Sequence, residues 1–334
     1  MLTIEDAVFE FINCEDKKMR YSLLGNTGLK VSEMALGTWG IGGAGWDSYS
    51  DESRMDAIRA AIEQGVNFID TAPAYNAGAA ERYIGQVLHD MGTRKDMIIS
   101  TKCGNEYING SYVRSSAPDT IIRECEESLK NLKTDYIDIY LIHWPDPNVP
   151  FEETMEALNK LKQQGKILHV GVSNFSKEQI VEASRYCAIE VYQPQYSMVY
   201  RADEEKIKWA SAQGIGTMTY GALGGGILSG KIRELKSYTA GDNRNRFYKH
   251  FQEPMFSKIM KLLEVMEEIS EEHEQVPLSQ IALNWAVQKD FVSACIVGAQ
   301  SRARVEENCA SFTWTLTAAE MEKLDTAIYR YIDY

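Results

Sequence analysis

No two of the six cysteines (Cys14, Cys103, Cys125, Cys187, Cys295, Cys309) fall in CxxC spacing, and they form no tight framework. That pattern excludes a cysteine-rich metal ribbon or a disulfide scaffold and suits a reducing, cytoplasmic setting. The 334-residue chain has no uninterrupted apolar stretch of about 18 residues, so no membrane span is expected. Its first residues carry Glu5, Asp6, Glu10, Glu15 and Asp16 where a secretory leader has a basic start and an apolar run, so no signal peptide is expected. Basic charge is scarce: 35 Lys and Arg against 48 Asp and Glu give a net charge of −13, without the cationic footprint of nucleic-acid binding. The histidines (His89, His143, His169, His250, His273) adopt no HExxH or related spacing, so no metal is expected. No YxxxK occurs, which removes a short-chain dehydrogenase arrangement. No linker rich in Pro, Gly or Ser divides the chain. Residues 19–334 are therefore expected to form one domain, preceded by an extension over residues 1–18.

What is present is an ordinary globular balance, 44% hydrophobic and 25% charged. Short apolar runs alternate with amphipathic helical segments. Strands are expected near Glu33–Thr38, Val66–Asp70, Met97–Lys102, Tyr136–His143, His169–Ser173, Glu190–Gln193, Gly216–Tyr220 and Ser293–Val297. Helices are expected near Asp51–Gln64, Ala79–Asp90, Pro118–Leu132, Phe151–Gln164, Lys177–Cys187, Asp203–Ala212, Met255–His273, from Pro277, and near Arg302–Asn308. Gly65, Gly165 and Gly214 stand where left-handed residues end helices. Thr317 with Glu320 reads as a capping box opening a last helix. Strict alternation of strand and helix implies a parallel sheet covered by helices. About eight such units in roughly 270 residues fit a closed (β/α)8 TIM barrel.

Several apolar strands end in a polar residue: Asp70, Lys102, His143, Ser173 with Asn174, Gln193 and Tyr220. In a parallel barrel those ends meet at one face, where active sites are built. Taken singly, Asp70 reads as a helix cap, Lys102 as a solvated side chain and His143 as a hydrogen-bonded core residue. At the ends of three successive strands they read together as a site. Tyr75 follows Asp70 by five residues and suits a proton donor to a carbonyl oxygen. A lysine ammonium about 4 Å away, at an effective dielectric of about 20, favours phenolate by roughly 4 kcal/mol, or about three pKa units. Lys102 is thus expected to bring Tyr75 toward neutrality, with Asp70 balancing Lys102 and His143 orienting the carbonyl.

Phe68-Ile69-Asp70-Thr71-Ala72-Pro73-Ala74-Tyr75, Ser100-Thr101-Lys102, Leu141-Ile142-His143-Trp144-Pro145-Asp146, Gly171-Val172-Ser173-Asn174-Phe175 and Gln193-Pro194-Gln195-Tyr196-Ser197 together resemble, in order, the motifs of the aldo/keto reductase superfamily. The resemblance spans about residues 19 to 330. It implies a catalytic tetrad of Asp70, Tyr75, Lys102 and His143 and an NADP(H) cofactor. It implies that Ser173, Asn174 and Gln193, with Asp70 nearby, hold the nicotinamide carboxamide and that Tyr220 stacks on its ring. Thr38 and Trp39 would line the mouth, and the loop from Gly221 through Leu223 and Gly225 to Lys231 would wrap the pyrophosphate. Gly298, Gln300, Arg304, Glu307 and Asn308 resemble the adenosine end, with Arg304 facing a 2′-phosphate. Where Gln300 stands, the family often has a basic or hydroxyl residue. Arg244 or Arg246 would close over the pyrophosphate. Trp39, Trp46, Tyr49, Tyr75, His143 and Trp144 form the expected substrate side, suited to sugars, aromatic aldehydes or other small carbonyl compounds.

The resemblance implies reduction of aldehydes or ketones, with a small carbonyl or alcohol as the only partner. It extends to potassium-channel β subunits, which makes an NADP(H)-binding regulatory barrel the alternative. Oligomeric state is not set by the sequence. Gly40 to Gly45 imitates a dinucleotide fingerprint, but Trp46 to Tyr49 intervene before a helix starts, so a loop over the mouth is expected. Gly225 to Lys231 nearly forms a phosphate loop, but Ile232 stands where magnesium needs a hydroxyl.

Overall fold

The structure, a computed structural model, describes residues 18–43, 49–108, 111–235 and 248–333. Eight parallel strands close into a barrel. In chain order they are β3 (Met34–Gly37), β4 (Phe68–Asp70), β5 (Ile98–Cys103), β8 (Ile137–Ile142), β9 (Ile167–Ser173), β10 (Val191–Gln193), β11 (Gly216–Tyr220) and β12 (Ala294–Gly298). Each pairs with its neighbour in sequence order, and β12 returns to β3 through Cys295 opposite Met34 to Gly298 opposite Gly37. The strands read as near-continuous apolar runs because both faces are covered; all of Ile137–Ile142 is buried.

Helices fill the outer ring: α2 (Asp51–Glu63), α3 (Ala79–Met91), α4 (Pro118–Leu132), α5 (Phe151–Gln163), α6 (Lys177–Ala183), α7 (Glu204–Ala212), α8 (Met255–Glu272), α9 (Leu278–Val287), α10 (Arg302–Cys309) and α11 (Ala318–Tyr331), after a short α1 (Trp39–Gly42). The expected elements are all there, within a residue or two at most ends. Gly65, Gly165 and Gly214 have φ of 86°, 72° and 78°. The Thr317–Glu320 box forms in both directions, with Glu320 Oε2 accepting from Thr317 N at 2.6 Å. Helix α6 stops at Ala183, short of the expected Cys187, where the Ser184 hydroxyl donates to the Ile180 carbonyl at 2.7 Å beside Ser184 N at 2.9 Å. Among the described residues, no helix is long and apolar enough to cross a membrane.

Two hairpins stand outside the barrel. β1 (Tyr21–Leu23) and β2 (Lys30–Ser32) pair antiparallel beneath its amino-terminal end. Leu24 and Val31, both fully buried, pack there with Ala35, Phe68, Ile139, Leu141, Val191, Met218, Ala294 and Ile296. The floor fits closely: a Cβ on Gly25 (φ +52°) would lie 2.3 Å from the Gly216 nitrogen. The second hairpin, β6 (Asn105–Ile108) with β7 (Ser111–Arg114), follows β5 at the opposite end. Neither hairpin was expected, because strands of three or four residues are too short to show an alternating pattern. The glycine stretch from Gly40, expected as a loop, begins as α1, and Gly43 at φ 93° closes it. Its remainder, with Trp46, lies outside the described residues, as do residues 1–17, Arg244 and Arg246.

The barrel is therefore sealed at one end and free for chemistry at the other. Leu24→Ala is expected to lower stability by about 2–5 kcal/mol through the cavity left in the floor. Urea unfolding should show a lower midpoint at an unchanged slope.

Candidate active site

The carboxyl ends of β4, β5 and β8 bring together the residues expected from the sequence. Lys102, fully buried on β5, sends its ammonium to Asp70 Oδ2 at 2.7 Å and Oδ1 at 2.9 Å. The Thr71 carbonyl lies at 2.9 Å and Tyr75 Oη at 3.2 Å. These oxygens crowd an ammonium with only three protons to donate. His143, the first residue beyond β8, sets its ring edge-on to Tyr75 with centroids 6.2 Å apart.

Asp70 is held by more than its lysine. Ser100 Oγ donates to its Oδ1 at 3.2 Å and Gln193 Nε2 at 2.8 Å. Thr38 Oγ1 donates to its backbone carbonyl at 2.9 Å. Ser100 was not foreseen as a site residue. Its signal was its place two residues before Lys102 on the same strand face.

The electrostatics correct one expectation. Tyr75 was expected to be acidified by Lys102. Instead its pKa lies well above the ordinary tyrosine value, pushed up first by burial and then by the Asp70 carboxylate and Tyr112. The physical reason is the close ion pair. Asp70 sits nearer to Lys102 than Tyr75 does, so the pair offers the phenol little net positive charge. Burial also pulls the Lys102 pKa down against the opposing pull of Asp70. His143 is pushed well below the ordinary histidine value by burial and by the Lys102 charge, which keeps the imidazole neutral at neutral pH. The resting mouth thus presents a protonated phenol and a neutral imidazole.

Beyond these lies a polar arc from β9 to β11. Asn174 has φ of 62°, a conformation asparagine tolerates, and its Nδ2 donates to the His143 carbonyl and Ser173 Oγ, each at 3.0 Å. Ser173 Oγ donates to the Gln193 carbonyl at 2.8 Å, and Tyr220 Oη donates to Asn174 Oδ1 at 2.8 Å. Both amide protons of Asn174 are thereby committed within the protein, leaving one lone pair on Oδ1 for anything else. Farther out, the loop after β11 holds Gly221, Gly224, Gly225 and Gly226 at φ of 78°, 56°, 66° and 95°, with half-buried Leu223 among them.

At the end of β12, Lys231 Nζ and Arg304 Nη1 meet the same Glu307 Oε1 at 3.3 and 2.8 Å. Gln300 Nε2 donates to the Gly40 carbonyl at 2.8 Å, tying α1 to the β12 loop beyond exposed Gly298. Asn308 Oδ1 is buried there and, among the described residues, accepts no hydrogen bond. A buried acceptor in want of a donor, beside a glycine-lined loop and two cations, suits a purine and its phosphates. The residues present therefore fit a dinucleotide. Among the described residues, no group of His, Cys, Asp and Glu could hold a metal ion.

On the other side of the mouth, Trp39 stacks against Tyr75 at 6.5 Å. Tyr49 is exposed, and Trp144 is half-buried beneath the Arg114 guanidinium.

A sequence profile described as the Aldo/keto reductase family matches residues 33–328. The chain is 34% identical over 311 residues to aldo-keto reductase YhdN from Bacillus subtilis, covering 93% of this chain and 94% of that protein. It is 33% identical over 314 residues to the NADH-specific methylglyoxal reductase of Escherichia coli, covering 89% and 94%. The solved structure of glycerol dehydrogenase AKR11B4 from Gluconobacter oxydans superposes with a TM-score of 0.86 at 31% identity, covering 94% of this chain and 96% of that one.

Burial and the Asp70 charge both disfavour a phenolate at Tyr75, so this phenol is expected to keep its proton throughout the neutral range. Ultraviolet difference titration of the wild type against Tyr75→Phe should show no tyrosinate from this residue below about pH 10. A tyrosinate signal near pH 7 to 8 that the variant lacks would refute the assignment.

Proposed function

Because the chain belongs to the aldo/keto reductase family, we propose that it interconverts aldehydes or ketones with alcohols using NADP(H), with Tyr75 as the proton donor. The observation that carries this reading is the contact of Lys102 Nζ with Tyr75 Oη at 3.2 Å, with Asp70 gripping the same ammonium at the barrel mouth. In this reading Asp70, Tyr75, Lys102 and His143 form the catalytic set. Trp39 and Trp144 flank the substrate, and Ser173, Asn174, Gln193 and Tyr220 surround the nicotinamide. The Gly221–Lys231 loop takes the pyrophosphate, and Gly298, Gln300, Arg304, Glu307 and Asn308 take the adenosine.

The nicotinamide, when bound, supplies the hydride or accepts it. The rest follows from this chain's own groups. A carbonyl oxygen seated against Tyr75 Oη becomes an alkoxide as hydride reaches its carbon. An alkoxide is a far stronger base than a phenolate, so Tyr75 gives up its proton despite its raised pKa. The phenolate left behind lies against the Lys102 ammonium, which offsets part of the cost that burial and the Asp70 carboxylate put on that charge. Neutral His143 offers a hydrogen bond to the oxygen without adding a charge that would compete with Lys102. Catalysis is then orientation and proton transfer over a preset ion pair.

Purified protein should consume NADPH with a panel of small aldehydes and ketones, and Tyr75→Phe should lower kcat by about 10²–10⁴-fold. Titration of NADPH fluorescence should give nearly the same affinity for both. NADPH binding without consumption across the panel would overturn the catalytic reading in favour of a regulatory barrel. Reduction uses the protonated phenol, so its rate should stay level across neutral pH. Alcohol oxidation needs the phenolate and should rise steadily with pH.

For the cofactor, Arg304→Ala is expected to raise KM for NADPH about tenfold, the loss of about one charge-assisted hydrogen bond. KM for NADH should change less than about twofold. Equal effects on both cofactors would remove the 2′-phosphate from Arg304.

A further inference from the structure

Beside the mouth, the β6–β7 hairpin presents an arginine that the reaction does not use. Tyr112 and Arg114 stand two positions apart on β7, so both project from one face of the hairpin. Tyr112 Oη donates to the Ala74 carbonyl at 2.6 Å, next to Tyr75. The Arg114 guanidinium lies 5.2 Å above the Trp144 ring, and Trp144 follows His143 directly. One face of the hairpin therefore spans from the Tyr75 loop to the His143 loop.

Arg114 differs from several other cations of this end of the molecule. Arg123 pairs with Glu106, Lys102 with Asp70, and Lys231 and Arg304 share Glu307. Arg114 is exposed and, among the described residues, makes no ion pair and rests on an aromatic face. In a chain of net charge −13, an uncompensated guanidinium bordering the substrate space is a local exception. Stacking leaves all five guanidinium N–H donors unspent and their plane fixed. The hairpin that carries it is tied down from behind: Ser116 N donates to Asp146 Oδ2 at 3.0 Å, and Gly104 N to Glu124 Oε2 at 2.6 Å. A side chain on such a support is preorganised to bind an anion.

We propose that Arg114 is a specificity-determining residue that selects small carbonyl substrates bearing an anionic group, carboxylate or phosphate, a few bonds from the carbonyl. This rests on the carbonyl-reducing reading above. The carbonyl docks on Tyr75 and His143, and the anionic end reaches the guanidinium on Trp144. Hydrogen bonding to a planar fork favours the anion over a neutral chain of equal length.

The test pairs substrates of similar size: succinic semialdehyde against butyraldehyde, and glyceraldehyde 3-phosphate against glyceraldehyde. Wild-type kcat/KM is expected to favour at least one anionic member about tenfold or more, mainly through KM. Which pair shows the preference tells carboxylate from phosphate. Arg114→Gln should reduce the anionic-to-neutral ratio at least tenfold, Arg114→Lys should retain part of it, and Arg114→Glu should invert it. The preference should also fade with rising salt in the wild type and not in Arg114→Gln. Binding of the same compounds, followed by tryptophan fluorescence, should show the same order without relying on turnover. Turnover of neutral aldehydes with no anionic preference, or a ratio unmoved by Arg114→Gln, would overturn this inference and leave the carbonyl-reducing reading standing. Arg114-dependent binding of the anions with no carbonyl turned over would do the reverse.

Discussion

The ion pair between Lys102 and Asp70 is the constraint on which the mouth of this barrel depends. Both side chains are buried, and the desolvation of an ammonium and a carboxylate is tolerated only because each is fully matched. Asp70 answers Lys102 with both oxygens, and Ser100 and Gln193 both donate to its Oδ1. Thr71 takes a further ammonium proton through its carbonyl. Residues from three strands are thus committed to one pair of charges. A carboxylate at the same strand end with no lysine beside it, or the lysine alone, would leave a buried charge without a partner.

That commitment shapes what the neighbouring groups can do. An isolated ammonium beside Tyr75 would strip the phenol of its proton near neutral pH. A matched one does not, so the proton stays on the phenol until a stronger base appears next to it. Lys102 lies next to the phenolate that this transfer leaves and offsets part of the cost set by burial and Asp70. The same positive charge, together with burial, keeps His143 neutral. Chemistry of this kind does not require a tyrosine with a depressed pKa. It requires a base strong enough to take the proton from a phenol of raised pKa.

The architecture assigns the two ends of the barrel different tasks. The β1–β2 hairpin packs apolar side chains under the floor, where Leu24 and Val31 join the inner residues of the strands. Among the described residues, the other end has no such plug. There the strands finish in hydroxyls, amides and ionisable groups, and the connecting loops supply Tyr75, Trp144 and the glycines after β11. The β6–β7 hairpin leans over the same end and ties itself to Ala74 and Trp144. Rigid strands place the reacting groups, while the hairpin and loops carry the surfaces in contact with the rest of a substrate.

The sequence by itself determined the alternation of strand and helix, hence a closed parallel barrel, because apolar runs and their glycine and capping punctuation are local signals. It also determined which residues meet at the mouth, since polar strand ends in a parallel barrel can point nowhere else. Only the tertiary structure decided the short hairpins, whose strands carry too few residues to show a period. It alone decided the acidity of Tyr75, because a pKa depends on which of two opposite charges lies closer and on how much water remains. It alone also showed that Arg114 has no acidic partner among the described residues, since pairing depends on distances between residues far apart in the chain, and no spacing along the sequence records them.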